Sequence, residues 1–340
     1  MIRWFITPGL CLLLAACSTP PPAAETAGPT GSLSAAQVGS LSVAPAEAST
    51  VFLYGSLAFV GCGADGVRIV DVSDPSQPEV VATLDDLPAG ALCVDDDLLY
   101  VLDVPEGWFA GPASVTSVDV IDPREPGVRR TIRRSIGEPG DLSVAGDSLA
   151  LAGGDEGLFL GRGMSDSLVD LSHHLDSDRA LSVLAGRDRL FAFGQSDDFD
   201  FWLGYGQTSN ALVVLEIPSG RLLSRTEFPG EGGADLAFTG DLLLLAHGDF
   251  VRVITVGPTG EPSRIISLHV DSVRAVSCDG SVAAAVGEGV TLIDLSEPDL
   301  PVLAARVAIE GTARDVAVQG RLVAVAAGGG GLQLFEVHSE

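Results

Sequence analysis

VRIVDVSDP, residues 67–75, decides how the rest of the chain reads. An apolar run ends on an acid and is followed by Asp74-Pro75. That pair is turn chemistry, because Pro presets φ and Asp hydrogen-bonds the backbone two residues on. Upstream lie TVFLY (50–54), a break at Gly55, SLAFVG (56–61) and the Gly-rich CGADG (62–66). Downstream come the turn SDPSQP (73–78) and EVVATL (79–84). Four short runs rich in Val, Ile, Leu and Phe, each bounded by Gly, Pro, Asp or Ser, describe consecutive antiparallel strands.

The first tight turn of this unit can be followed through Gly55, Asp96, Gly146, Gly186, Gly240, Gly280 and Gly320, in steps of 41, 50, 40, 54, 40 and 40 residues. Four strands in a period near forty match the blade of a β-propeller. Helical repeats of similar period are excluded, since no segment after residue 50 spaces its apolar residues for a helix. Runs apolar on both faces, LLLLA (242–246) and SVAAAV (281–286), suit strands covered on both sides by neighbouring blades. The expectation is an all-β, seven-bladed propeller over residues 40–340 with four-stranded blades. The last unit, 314–337, supplies only three strands, so residues 40–44 are expected to complete it and close the ring.

VRIVDVSDPSQP (67–78), VDVIDPREP (118–126) and VTLIDLSEPDLP (290–301) resemble the LVIVD-repeat propellers of bacterial and archaeal surface proteins. Weaker copies stand at LVVLEIPSG (212–220), VRVITV (251–256) and LQLFEV (332–337), and the Asp-Pro turn is missing around 157–172. The resemblance implies the fold and brings no general catalytic motif.

Of 340 residues, 46 are acidic and 19 basic, every basic one an arginine, giving a net charge of −27. Such a surface argues against nucleic acid, whose phosphates need a basic face, and disfavours anionic lipid headgroups. Residues 1–16 combine Arg3 with a short apolar core, too short to span a bilayer and laid out like a cleaved signal. LAAC (14–17) resembles a lipobox, which implies acylation of Cys17, and Ser18 in the next position points to an outer membrane where the cell has one. Residues 17–39, rich in Ala, Pro, Ser, Thr and Gly, read as a flexible tether. The chain is expected as a lipid-anchored monomer of the cell envelope.

Units two and four are long because of insertions between their second and third strands, DVPEGWFAGPAS (103–114) and QSDDFDFWLGYGQTSN (195–210). They would raise two walls on one face, bearing Trp108, Phe109, Phe199, Phe201, Trp202 and Tyr205. Aromatics on loops over a rigid scaffold are typical anchors for a protein or glycan partner; the alternative is that they fold back over their own blades. The same face should gather acid from Asp65, Asp155, Glu156, Asp197, Asp198, Asp200, Asp249 and Glu288. Asp141, Asp235 and Asp315 share one position at the start of an inner strand. They would either accept backbone hydrogen bonds in their own inter-blade turns or ring the channel mouth and hold a divalent cation such as calcium.

Cys62, Cys93 and Cys278 form neither a disulfide framework nor a zinc pattern. Cys62 and Cys93 could pair; buried free thiols are the other expectation. RRTIRR (129–134) reads as an outer strand protected by charge, or as a contact for acidic groups, and His173, His174 and His247 read as isolated surface histidines. Nucleophile-elbow, zinc-protease and phosphate-loop motifs are missing. The sequence therefore favours a non-catalytic binding module without a cofactor. Its rival is a metal-dependent propeller hydrolase, of lactonase or phosphoesterase type, using the channel-mouth acids.

Overall fold

A computed structural model describes residues 33–103, 113–134, 140–163, 168–171, 179–186, 188–200, 205–229, 234–258 and 260–339. Over these residues seven four-stranded antiparallel sheets form the blades of a propeller. The unit around VRIVDVSDP is blade one, with strands Thr50–Tyr54, Leu57–Gly61, Val67–Asp71 and Glu79–Leu84, here termed inner, second, third and outer. Exposure grades outward as the sequence demands. The second strands Leu242–His247 and Val282–Val286 are buried at every residue. The outer strand Pro262–His269 has none buried.

The repeat owes its sequence to two turns. Between inner and second strands, Gly55, Asp96, Gly146, Gly240, Gly280 and Gly320 adopt φ between 51° and 60°. That is the left-handed region, where Gly enters freely and Asp tolerably, and it is why this position reads Gly or Asp. Below the third strand, Asp71 accepts the Ser73 N–H and Asp74 accepts the Ser76 N–H and hydroxyl. Asp119 and Asp122 do the same for Ile121 and Arg124 in blade two, and Asp294 for Ser296 in blade six. Both acids of the VDVSDP motif are thus turn-makers. Between them, the residue that leaves the third strand ties the two turns together. Val72, Val120, Val256 and Leu295 each donate their N–H to the tight turn of the same blade, at 2.8–2.9 Å.

The hydrophobic core is divided among the seams. Each pair of neighbouring blades shares its own cluster, seven in all among the described residues. The first joins Val51, Val60 and Val70 of blade one to Ala324, Ala326 and Leu334 of blade seven, which closes the circle.

A strand from the N-terminal side completes blade seven, as expected, but it is Leu33–Leu41 and not residues 40–44. It runs antiparallel to Leu332–Ser339, from Leu33 opposite Ser339 to Leu41 opposite Leu332, with a bulge between Gln37 and Gly39. It therefore takes up residues whose composition suggested tether. LSAAQVGSL is half-exposed along its length, as an outer strand should be, so small and polar residues suffice and leave little apolar pattern to read. Leu33 and Ala35 pack on the seam with blade six, and Val38 and Leu41 on the seam with blade one. Gly39 meets the Pro75 carbonyl of blade one so closely that a Cβ has no room.

Blade three is the most degenerate. Its outer strand is only Leu168–Asp170, where the Asp-Pro turn is missing. RRTIRR falls in the outer strand Gly127–Arg134 of blade two, with Ile132 buried and Arg129 paired to Asp119 at 2.6 Å.

Candidate functional site

The insertion in blade four is an extension of the blade itself. Its second and third strands, Arg189–Asp200 and Tyr205–Glu216, stay in register for twelve residues, out to Asp200 opposite Tyr205. The outer strand Leu222–Pro229 stops pairing at Ser209, so the last pairs stand as a two-stranded arm. Second strands elsewhere have five or six residues. At about 3.3 Å per residue, the pairs from Asp197 opposite Thr208 to Asp200 opposite Tyr205 carry the arm roughly 13 Å past the outer strand.

Phe199 and Tyr205 lie on the arm, opposite Gly206 and Asp200. Trp108, Phe109, Phe201 and Trp202 lie outside the described residues, as does the blade-two insertion over 104–112. Hairpin bases bracket it: Asp103 still pairs with Ser114. Both insertions leave the same face, the one carrying every second-to-third-strand turn. Asp65, Asp155, Glu156, Asp249 and Glu288 are exposed there.

On the same side, the channel is ringed by the inner strands and holds a cavity of about 340 Å³. Asp141, Asp235 and Asp315 line it at matching positions. Each carboxylate bridges two blades. Oδ1 accepts the next N–H of its own strand: Leu142 at 2.7 Å, Leu236 at 2.8 Å and Val316 at 2.8 Å. Oδ2 accepts an N–H from the inner strand of the following blade: Val183 at 3.0 Å, Val276 at 2.8 Å and Val51 at 2.9 Å. Ser182 and Thr50 add hydroxyl bonds at 2.9 and 2.7 Å. The partners are thus in the neighbouring blade, not only in the acid's own turn. Burial raises all three pKa values, Asp141 to about 6, and mutual repulsion raises Asp235 and Asp141 further. No group of three His, Cys, Asp or Glu side chains among the described residues is arranged to hold a metal ion.

Cys62, Cys93 and Cys278 are free thiols. Cys62 is buried in the seam between blades seven and one, Cys93 in that between two and three, so they face different cores. Burial pushes the thiols of Cys93 and Cys278 up to about 12. His173 and His174 lie outside the described residues.

His247 is not a surface residue: only 2% of it is exposed. It ends the second strand of blade five, its ring 5.2 Å from that of Phe193 in blade four. Its Nδ1 lies 3.1 Å from Arg252 Nη1. Burial and the Arg252 charge depress its pKa to about 4. A seam position facing an aromatic neighbour was not visible in an isolated histidine.

Residues 45–86 match the family model of the LVIVD repeat, which places that repeat in blade one. No curated protein matches the chain. Among solved structures, the crystal structure of the computationally designed Ika8 protein is similar, with a TM-score of 0.59 at 10% identity, covering 88% of this chain and 99% of that one. At that identity the likeness concerns the fold alone.

Proposed function

We propose that this LVIVD-repeat propeller is a non-catalytic binding module of the cell envelope. A lipid on Cys17 would hold it to the outer membrane, and the face carrying the arm would recognise a protein or glycan partner. The arm is the observation that carries this reading. Strand pairs projecting beyond a sheet bury little of their own surface, and a two-stranded ribbon is marginal in water by itself; a partner seated along it would supply the missing contacts. Rigid scaffolds with variable projecting loops are the usual setting for recognition. The absence of catalytic motifs in the sequence agrees with this. The three channel acids support it as well, since backbone N–H groups already occupy both oxygens of each.

The test is retention of envelope proteins and glycans on residues 33–340, which span all seven blades and the closing strand. A second bait has residues 196–209 replaced by a tight turn. A partner held by the first and lost by the second supports the reading. Equal retention by both removes the arm as the site, and retention by neither removes the binding module.

A further inference from the structure

Arg252 is out of place in this molecule. Acids outnumber basic residues 46 to 19, and other arginines find them readily: Arg68, Arg129, Arg221 and Arg264 each lie within 3.0 Å of a carboxylate oxygen. Arg252 is half-buried, its pKa lowered by that burial, and has no carboxylate partner among the described residues. Its guanidinium carbon instead lies 5.2 Å from the centre of the Phe228 ring and 5.4 Å from that of Phe250. Desolvating a cation without an anion is costly, and ring contacts offset only part of that cost.

The neighbouring imidazole fixes the geometry. A guanidinium only donates, so Nδ1 of His247 accepts from Arg252 Nη1 and the ring proton sits on Nε2. That Nε2 is buried and has no hydrogen-bond partner among the described residues. Among the described residues the pair is therefore a cluster of surplus donors, with Nη1 engaged by His247 and no partner at the Nη2–Nε edge of the fork. It lies at the seam between blades four and five at the foot of the arm, because Phe228 pairs with Asn210, which pairs with Gln195.

We propose that Arg252 is a recognition site for a small carboxylate-bearing ligand, which docks its carboxylate on the Nη2–Nε edge of the guanidinium and its carbon body against Phe250. A planar fork matches a carboxylate in two parallel hydrogen bonds. One cation in a domain of net charge −27 suits a single negative charge and is a poor host for a phosphate dianion. His247 is a positioning residue that holds one end of the fork. The site goes beyond the arm reading, and either can fail without the other.

The experiment is an NMR titration of the ¹⁵N-labelled full chain, observing arginine Nε–Hε signals in a protein that has no lysine. Acetate, N-acetylglycine, glucuronate and inorganic phosphate are added at constant ionic strength. The Arg252 signal, assigned by its loss in Arg252→Gln, should move saturably with millimolar carboxylate while other arginines stay still. Through-bond assignment of the parent protein serves if that variant does not fold. Preference for N-acetylglycine identifies a peptide C-terminus as the source, and preference for glucuronate a uronic sugar. Arg252→Lys keeps the charge but not the fork, and should weaken the response about tenfold, roughly 1.4 kcal/mol. An Arg252 signal unmoved at about 50 mM carboxylate, or moved more by phosphate, overturns the proposal. So does equal movement of all arginines.

Discussion

Replacing Asp141 by Asn separates two effects that oppose each other in the channel. In the parent protein Asp141 accepts the Leu142 and Val183 N–H groups and the Ser182 hydroxyl. An amide can accept at only one of its two ends. Its NH₂ can donate to Ser182, but it then faces the Val183 N–H, and one orphaned buried donor costs about 1–3 kcal/mol. Against this, the carboxylate is charged in a place that disfavours charge. Its pKa, raised from 3.8 to about 6, corresponds to roughly 3 kcal/mol at 1.36 kcal/mol per unit. Contact with channel water reduces this to about 1–3 kcal/mol. A raised folded pKa means that this stabilisation is complete below about pH 4 and lost as pH rises through 6. At pH 4 the parent acid is itself protonated and, like the amide, turns one donor toward an N–H, so the two proteins should be nearly equal in stability there, and the variant should become the more stable by about 1–3 kcal/mol as pH rises to 7. The remaining acids act in the same direction, because removing one charge relieves Asp235. His247, depressed to about 4, loses its contribution as pH falls from 6.5. It does so in both proteins and cancels from the difference. Calorimetric melting of both at half-unit pH steps measures the gap, a few degrees at pH 7. A gap that is constant from pH 4 to 7, or a variant that loses ground to its parent toward neutrality, refutes the account.

Other outcomes follow from the closing strand, the arm and the thiols. Deleting residues 33–41 unpairs Leu332–Ser339 and exposes the edge of blade seven, so the melting temperature should fall by many degrees; an unchanged melt would show the ring closed without it. Gly39→Val drives a side chain into the Pro75 carbonyl and should cost about 1–3 kcal/mol in urea unfolding. Shortening 196–209 removes pairs made only within the arm and the edge of one sheet, so melting should shift by no more than a few degrees while partner retention is lost. Cys93 and Cys278, with thiols near 12, should resist alkylation in the native protein at pH 8 and react at once in urea, as read by peptide mass spectrometry.

The blade was legible because its determinants are local. Gly55 and its counterparts occupy a backbone region few residues enter, and Asp71 and Asp74 make their own turns, so each leaves a mark at fixed spacing. The closing strand was legible in topology but displaced in sequence. The missing outer strand of blade seven demanded it, yet Leu33–Leu41 has only small and polar residues on its outward side, indistinguishable from tether. His247 and Arg252 were misread or passed over for a different reason. Their environment is made by Phe193 and Phe228, residues of another blade, and no spacing along the chain expresses contact across a seam.

Seams are where the repeat stops explaining the molecule. If identical blades sufficed, every seam would carry the same polar contacts. The channel acid serves only the seams from three to four, five to six and seven to one. Between two and three the equivalent contact sits at the far end of the inner strand, where Asp95 accepts the Gly146 N–H at 2.8 Å. Between six and seven, Asp279 and Ser277 accept the N–H groups of Gly320 and Val318. Between four and five, Arg189 of blade four donates to the Gly257 and Pro258 carbonyls of blade five. That last seam also contains His247, Arg252 and the foot of the arm. The chain itself sets the order of the blades, and these side chains vary the polar contacts from seam to seam. The arm of blade four and, beside it, a cation with no carboxylate partner among the described residues are departures from the repeat that fall in one sector of the ring.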